Sequence, residues 1–399
     1  MRKFLLILLL IIPINVFGLD IELNSKSAIV INRENNDILY EKNINQELPV
    51  ASLTKIMTTI VALENIKDLD EKIIIEYEDI FIQPDYVVLG LKTGMEISYN
   101  DLLYSTILLS AADSATALAN NVFEDYSIFI DKMNELADRL GMKNTHFSNP
   151  VGYDDDNYST SYDIYLLLDY ALNNKNFYEI YTTKKYYIEV VGRYLGNGVI
   201  NSINKYSIDN KDIVFNGTKT GFTDLAGLCF SGITKFDNNE LLFITLGAEG
   251  YFDEAKNIVD NINLASMYRN LYSNRLILKK DKLIDSIIYN KKYDYQIRSS
   301  KDIYFYMDNT VNLQYLKIYY DGIVDINRNI KEGDLLGIIK VYYDNKLIGS
   351  EEVLFSNKNI VIKEQRDYKY IIIFTFICLL GLFIFRRRVN NSWYLRIIE

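Results

Sequence analysis

The sequence predicts an α+β fold, with helices packed on an antiparallel sheet and a smaller β-rich domain behind it. Three observations carry that reading. Strand-like alternation around a turn signal opens the chain. Helical periodicity fills the first half, and glycine-punctuated strands resume after residue 180.

The elements follow in order. Alternation from Ile21 to Tyr40 around Asn35-Asn36-Asp37 predicts a β-hairpin. Pro49 precedes a helix over Ser52 to Asn65. Residues 98–123 are helical in composition but broken at Ser110, and residues 128–140 form an amphipathic helix ended by Gly141. The turn-rich loop "NPVGYDDDNYSTSYD" leads into a helix near 162–172. Strands are expected at 183–190 and across 212–247, where Gly217, Gly221, Gly227 and Gly232 punctuate the pattern. A last helix, about 252–273, carries Ala255, Ile258, Val259 and Ile262 at helical spacing. Beyond Leu276, short Ile/Tyr/Val-rich runs with turns between them mark a separate β-rich domain over 276–362.

Both ends carry apolar segments. Met1, Arg2 and Lys3 precede an apolar run from Phe4 to Ile12, with Val16 and Gly18 before Leu19, so residues 1–18 read as a removable secretory signal. Ile371 to Phe385 holds no charge. With Tyr368, Lys369 and Tyr370 it gives about 18 residues, or about 27 Å of helix, close to the roughly 30 Å of a hydrocarbon core. Arg386, Arg387 and Arg388 follow, which favours a cytoplasmic tail over 386–399 and a membrane-anchored, exported body. The boundaries this predicts are 19–275, 276–362 and 368–385.

Composition excludes several classes. A formal charge of −10 argues against nucleic acid as a partner. The two cysteines, Cys229 in a strand-like run and Cys378 in the terminal apolar segment, cannot pair within one chain. The single histidine, His146, leaves no His-rich metal site and is the only candidate for a histidine base.

"ASLTKIMTTIVALEN" puts Ser52 and Lys55 three apart at a helix start, where Cβ atoms lie about 5–6 Å apart and the amine can reach the hydroxyl. A serine hydroxyl needs such a base to act as nucleophile, and a lysine serves only if its pKa falls from about 10.4. Ser110 in "LLSAADSATALA" is placed to relay a proton. Lys219-Thr220-Gly221 in "NGTKTGFTDLAGLCFSG" offers a cation for a carboxylate and a glycine where a ligand approaches the strand backbone. Lys219 is also expected to hold down the pKa of Lys55. Lys92-Thr93-Gly94 repeats the triplet but precedes Ser110 and leads into a polar turn, so it reads as a decoy.

Ser-x-x-Lys, a serine between helices, then Lys-Thr-Gly is the ordered set of penicillin-recognising serine enzymes. The chain resembles the D-alanyl-D-alanine carboxypeptidases of the low-molecular-mass penicillin-binding proteins, the S11 serine peptidases. The likeness extends through "AIVINRENNDILYEKNINQELPVASLTKIMT", "LADRLGMKNTHFSNPVGYDDDNYSTSYD" and "IKEGDLLGIIKVYYDNKLIGSEEVLF", roughly residues 25–362. It implies a penicillin-binding transpeptidase/β-lactamase-like catalytic domain acting on peptidoglycan stem peptides and acylated by β-lactam antibiotics. Ser52 would be the nucleophile, Lys55 the base, Ser110 the proton relay and Lys219 the carboxylate-binding cation, without metal or organic cofactor.

Two departures stand out. The family's second motif is Ser-x-Asn, and here it reads Ser110-Ala111-Ala112, so the side-chain amide is missing. "LGAEGYFDEAKN" holds no arginine before Lys256, which leaves carboxylate recognition to Lys219. The rival readings are a catalytically weakened wall-binding scaffold and a β-lactamase. The latter would need a deacylating loop glutamate, where this chain has Asp154, Asp155 and Asp156.

Overall fold

The computed structural model describes residues 21–80, 86–153, 156–196, 213–237, 239–251, 254–291, 293–326, 330–343, 345–362, 374 and 376–384. The chain divides after Ser273 into two compact units.

The first unit is built on a five-stranded antiparallel sheet. Its strands are β1 (Ser27–Asn32), β2 (Asp37–Lys42), β3 (Gly217–Thr223), β4 (Gly227–Phe236) and β5 (Asn239–Ala248), in the order β2-β1-β5-β4-β3. The opening hairpin therefore joins the late strands across more than half the chain, with Ser27 opposite Leu246 and Asn32 opposite Leu241. β1 is buried at every position. Its expected alternation fails because both faces of the sheet are covered. Ile29, Leu242, Ile244 and Leu246 face the main apolar core. Thr245, on the opposite side of the pleat, receives a hydrogen bond from Asn261 of a C-terminal helix.

The helices are α1 (Thr54–Asn65), α2 (Tyr99–Tyr104), α3 (Ala112–Asn121), α4 (Tyr126–Leu140), α5 (Ser161–Leu172), α6 (Lys175–Thr182) and α7 (Lys256–Leu271). α1 is buried from Thr54 through Leu63, its polar Thr54, Lys55, Thr58 and Thr59 included, and packs against α3, α4 and α5. Ser98, Asp125, Thr160 and Asn174 cap α2, α4, α5 and α6 through their side chains, and Gly141 closes α4 at φ 78°. The break expected at Ser110 is a five-residue π-helical turn, Ser105–Leu109, between α2 and α3.

Among its described residues before 363 the second unit is β-rich, with two short 3-10 turns, Leu313–Tyr315 and Asn357–Asn359. It contains a four-stranded sheet, a three-stranded sheet and a two-stranded pairing of Tyr272–Leu278 with Ile303–Asp308. It has its own core, including Ile287, Tyr295, Ile297, Ile339, Val341 and Phe355. The expected signal, residues 1–18, lies outside the described residues. So do residues 368–373, 375 and 385 of the expected membrane segment. Its described part, 374 and 376–384, is helical and exposed. Among the described residues no helix is long and apolar enough to cross a membrane.

Candidate active site

Ser52 sits in a 3-10 turn, Ala51–Leu53, directly before α1. That turn is set by close packing from two distant parts of the chain. Ala51 adopts φ 46°, and a Cβ on Gly152 would lie 2.0 Å from its carbonyl oxygen. A Cβ on Gly221 would lie 2.9 Å from the backbone nitrogen of Ser52. Gly221 therefore lets the Ala51–Leu53 turn approach β3, where the sequence suggested a ligand.

Lys55 lies one turn into the helical segment and is 1% exposed. Its Nζ donates to Ser52 Oγ at 3.0 Å and to the carbonyl oxygen of Val151 at 2.8 Å. Burial pushes its pKa down to about 7, against an opposing pull from the Asp113 carboxylate. Asp113, also buried, accepts from the backbone N–H groups of Leu89, Gly90, Leu91 and Ser114, which fastens the 87–91 loop to the start of α3.

Ser110 ends the π-helical turn in the left-handed region, φ 65°, and is half-buried. Lys219 reaches across from β3 and donates to Ser110 Oγ at 2.8 Å and to the Thr220 carbonyl at 2.7 Å. Burial holds Lys219 well below the usual lysine range, and the nearby charge of Lys55 lowers it further. Desolvation is the first cause of the lowering in both lysines, and the repulsion between the two amines adds to it.

Ser52, Lys55, Ser110 and Ala112 line one open cleft. Its remaining walls are the 86–87 segment, the 151–153 loop, and Phe222 and Thr223 at the end of β3. Thr220 is half-buried on β3 opposite Phe230. Ala112 donates its backbone N–H to the Val87 carbonyl at 2.8 Å and brings no polar side chain. Lys256 is taken by Glu254 at 2.7 Å.

The decoy triplet and the lone histidine lie elsewhere. Lys92, Thr93 and Gly94 form an exposed turn, with Met95 N–H bonded to the Lys92 carbonyl. His146 is exposed and pairs through its backbone with Tyr158, outside the cleft. No group of three or more His, Cys, Asp or Glu able to hold a metal occurs among the described residues.

The residues that sequence reasoning missed are Val151, Gly152 and Asp113. "NPVG" did mark a turn, but its partner in the nucleophile segment lies about a hundred residues away.

Residues 16–250 match the model of the peptidase S11 family, D-alanyl-D-alanine carboxypeptidase. Over 242 residues the chain is 28% identical to D-alanyl-D-alanine carboxypeptidase DacF of Bacillus subtilis, covering 56% of this chain and 57% of that protein. It is 31% identical over 231 residues to a D-alanyl-D-alanine endopeptidase of Pseudomonas aeruginosa, covering 58% and 74%. The fold is similar to penicillin binding protein 5 from Haemophilus influenzae, with a TM-score of 0.62 at 22% identity over 86% of this chain and 98% of that one. The match thus spans little more than half of the Bacillus relative.

Proposed function

The chain belongs to the D-alanyl-D-alanine carboxypeptidase family of serine peptidases, and from that premise we propose that it removes the terminal D-Ala from peptidoglycan stem pentapeptides through an acyl-enzyme on Ser52. One observation supports this most directly: a buried lysine with its pKa near 7 lies 3.0 Å from a serine hydroxyl that opens onto a cleft.

In this reading neutral Lys55 takes the proton of Ser52 as Oγ attacks the carbonyl carbon of the penultimate D-Ala. The N-terminal turn of α1 and the Ser52 backbone N–H stabilise the developing oxyanion. The C–N bond then breaks, and Ser110, held by Lys219, passes its proton to the departing amine and is resupplied with the one that Lys55 carries, so that Lys55 is neutral again. Lys219 and the neighbouring Thr220 and Gly221 of β3 serve the terminal carboxylate. Water next attacks the ester with Lys55 again as base, and Ser52 recovers its proton. Penicillins acylate the same Oγ, because their strained amide presents a carbonyl and a carboxylate to the same groups.

We place the catalytic unit outside the cytoplasm, on the strength of the residue 1–18 signal pattern. Residues 368–385, followed by three arginines, would tether it to the membrane. Incubation with a pentapeptide ending in D-Ala-D-Ala and measurement of released D-Ala tests the activity. Penicillin labelling without any D-Ala release would leave only the weakened scaffold, and rapid loss of the label would turn the reading to a β-lactamase.

A further inference from the structure

β3 is the last strand of its sheet, so among the described residues Lys219 has a strand partner on one side only, β4. Its opposite residue there is Ser231, fully buried. Tyr181 of α6, also fully buried, completes a chain of polar groups. Its hydroxyl lies 2.8 Å from Ser231 Oγ, and Ser231 Oγ donates to the Lys219 carbonyl at 3.4 Å. With the one proton of Ser231 so committed, Tyr181 is the donor of the pair. Burial pushes the Tyr181 pKa upward, against hydrogen bonds from Ser231 and the Lys219 backbone, so the phenol keeps its proton. The ring is fixed too. Phe177 stacks on it with centroids 5.5 Å apart, and a Cβ on Gly217 would lie 2.5 Å from it. Gly217, Lys219 and Gly221 share one face of β3. Lys219 therefore stands between the Tyr181 ring at one glycine and the Ala51–Leu53 turn at the other.

We propose that Tyr181 is a positioning residue for carboxylate recognition: through Ser231 it fixes the backbone of Lys219, so that the ammonium stays on Ser110 and meets the carboxylate of the ligand. The inference rests on the reading of Lys219 as the carboxylate-binding cation. A long lysine stem leaves its amine free to wander unless both ends are held. Ser110 Oγ and the Thr220 carbonyl hold the amine. Tyr181 and Ser231 hold the root. Neither touches the ligand, so their effect must pass through Lys219.

The test uses the full chain, benzylpenicillin and benzylpenicillin methyl ester, which masks the carboxylate. Second-order acylation rates for both come from competition with a fluorescent penicillin. Tyr181→Phe keeps the packed ring and removes one oxygen. In it the ratio of acid to ester rates should fall about fivefold, with the ester rate nearly unchanged. Ser231→Ala should give a similar fall, and the double variant little more, because the two residues act in series. Equal loss of both rates in Tyr181→Phe would mean a merely structural role and overturn the proposal, as would a ratio kept at the wild-type value. A wild-type ratio near one would instead remove Lys219 as the carboxylate-binding group, and the proposal with it.

Discussion

Ser52 and His146 make the simplest contrast. Ser52→Ala should abolish penicillin labelling, because it removes the hydroxyl that Lys55 contacts at the start of α1 and leaves only Ser110, which Lys219 holds, on the cleft wall. His146→Ala should leave labelling intact, since its ring is exposed and outside the cleft. A large loss in the histidine variant would remove Lys55 from the role of base. Lys55 itself sets a pH dependence. Only the neutral amine accepts the Ser52 proton, so the second-order acylation rate should climb with pH and level off above about 7. At pH 5.5 it should be down about thirtyfold, and stopped-flow acylation across pH 5–9 reads this. The same shift acts on stability: the unfolded chain binds the extra proton between about pH 7 and 10.5, so stability should rise with pH through that window. Ala112→Asn should add a hydrogen bond to the bound peptide. If that bond strengthens in the transition state, about 1.5 kcal/mol gives about a tenfold faster acylation. An unchanged rate would mean the site already meets that need another way.

Among elements, the turn Ala51–Leu53 depends on its neighbours. A methyl at residue 152 would collide with a backbone carbonyl at a position already at φ 83°. Gly152→Ala should lower unfolding free energy by about 2–3 kcal/mol, measurable by urea titration, and reduce acylation with it. Gly221→Ala meets a softer 2.9 Å approach. It should cost less stability while still displacing Ser52, so the labelling rate should suffer more than the melting temperature. These contacts explain what the sequence concealed. Ser52, Lys55, Ser110 and Lys219 could be picked out because local spacing and chain order point to them. The helix over Tyr126–Leu140 was visible in its periodicity and its closing glycine. Gly152 against Ala51, and Asp113 beneath the 89–91 amides, are pairings of remote segments with no local pattern. α6 and the double-sided burial of β1 were hidden for the same reason: eight residues hold little periodicity, and a strand covered on both faces loses its alternation.

On the scale of the whole molecule, two separate cores imply separable stability. Deleting the chain after Ser273 should leave a folded catalytic unit that labels with penicillin at a rate within about threefold of the full chain, since site and core both lie before that point. Loss of labelling with loss of the cooperative melt would make the two units one folding body. Truncation before Tyr368 should release the protein from membranes on fractionation. Retention there would remove the C-terminal segment as the tether.

The pairing of β1 with β5 has a consequence in time. Ser52 emerges early in synthesis, yet its turn rests on Gly152 and Gly221, and the sheet beneath it closes only when residues 239–248 align with residues 27–32. A chain stopped near residue 210 possesses the nucleophile, the base and the relay serine, but neither β3 nor the closing strand. Such a fragment should be inert to penicillin. Ser52 is thus made early and its surroundings last, so covalent labelling of a growing or refolding chain should report completion of the first unit.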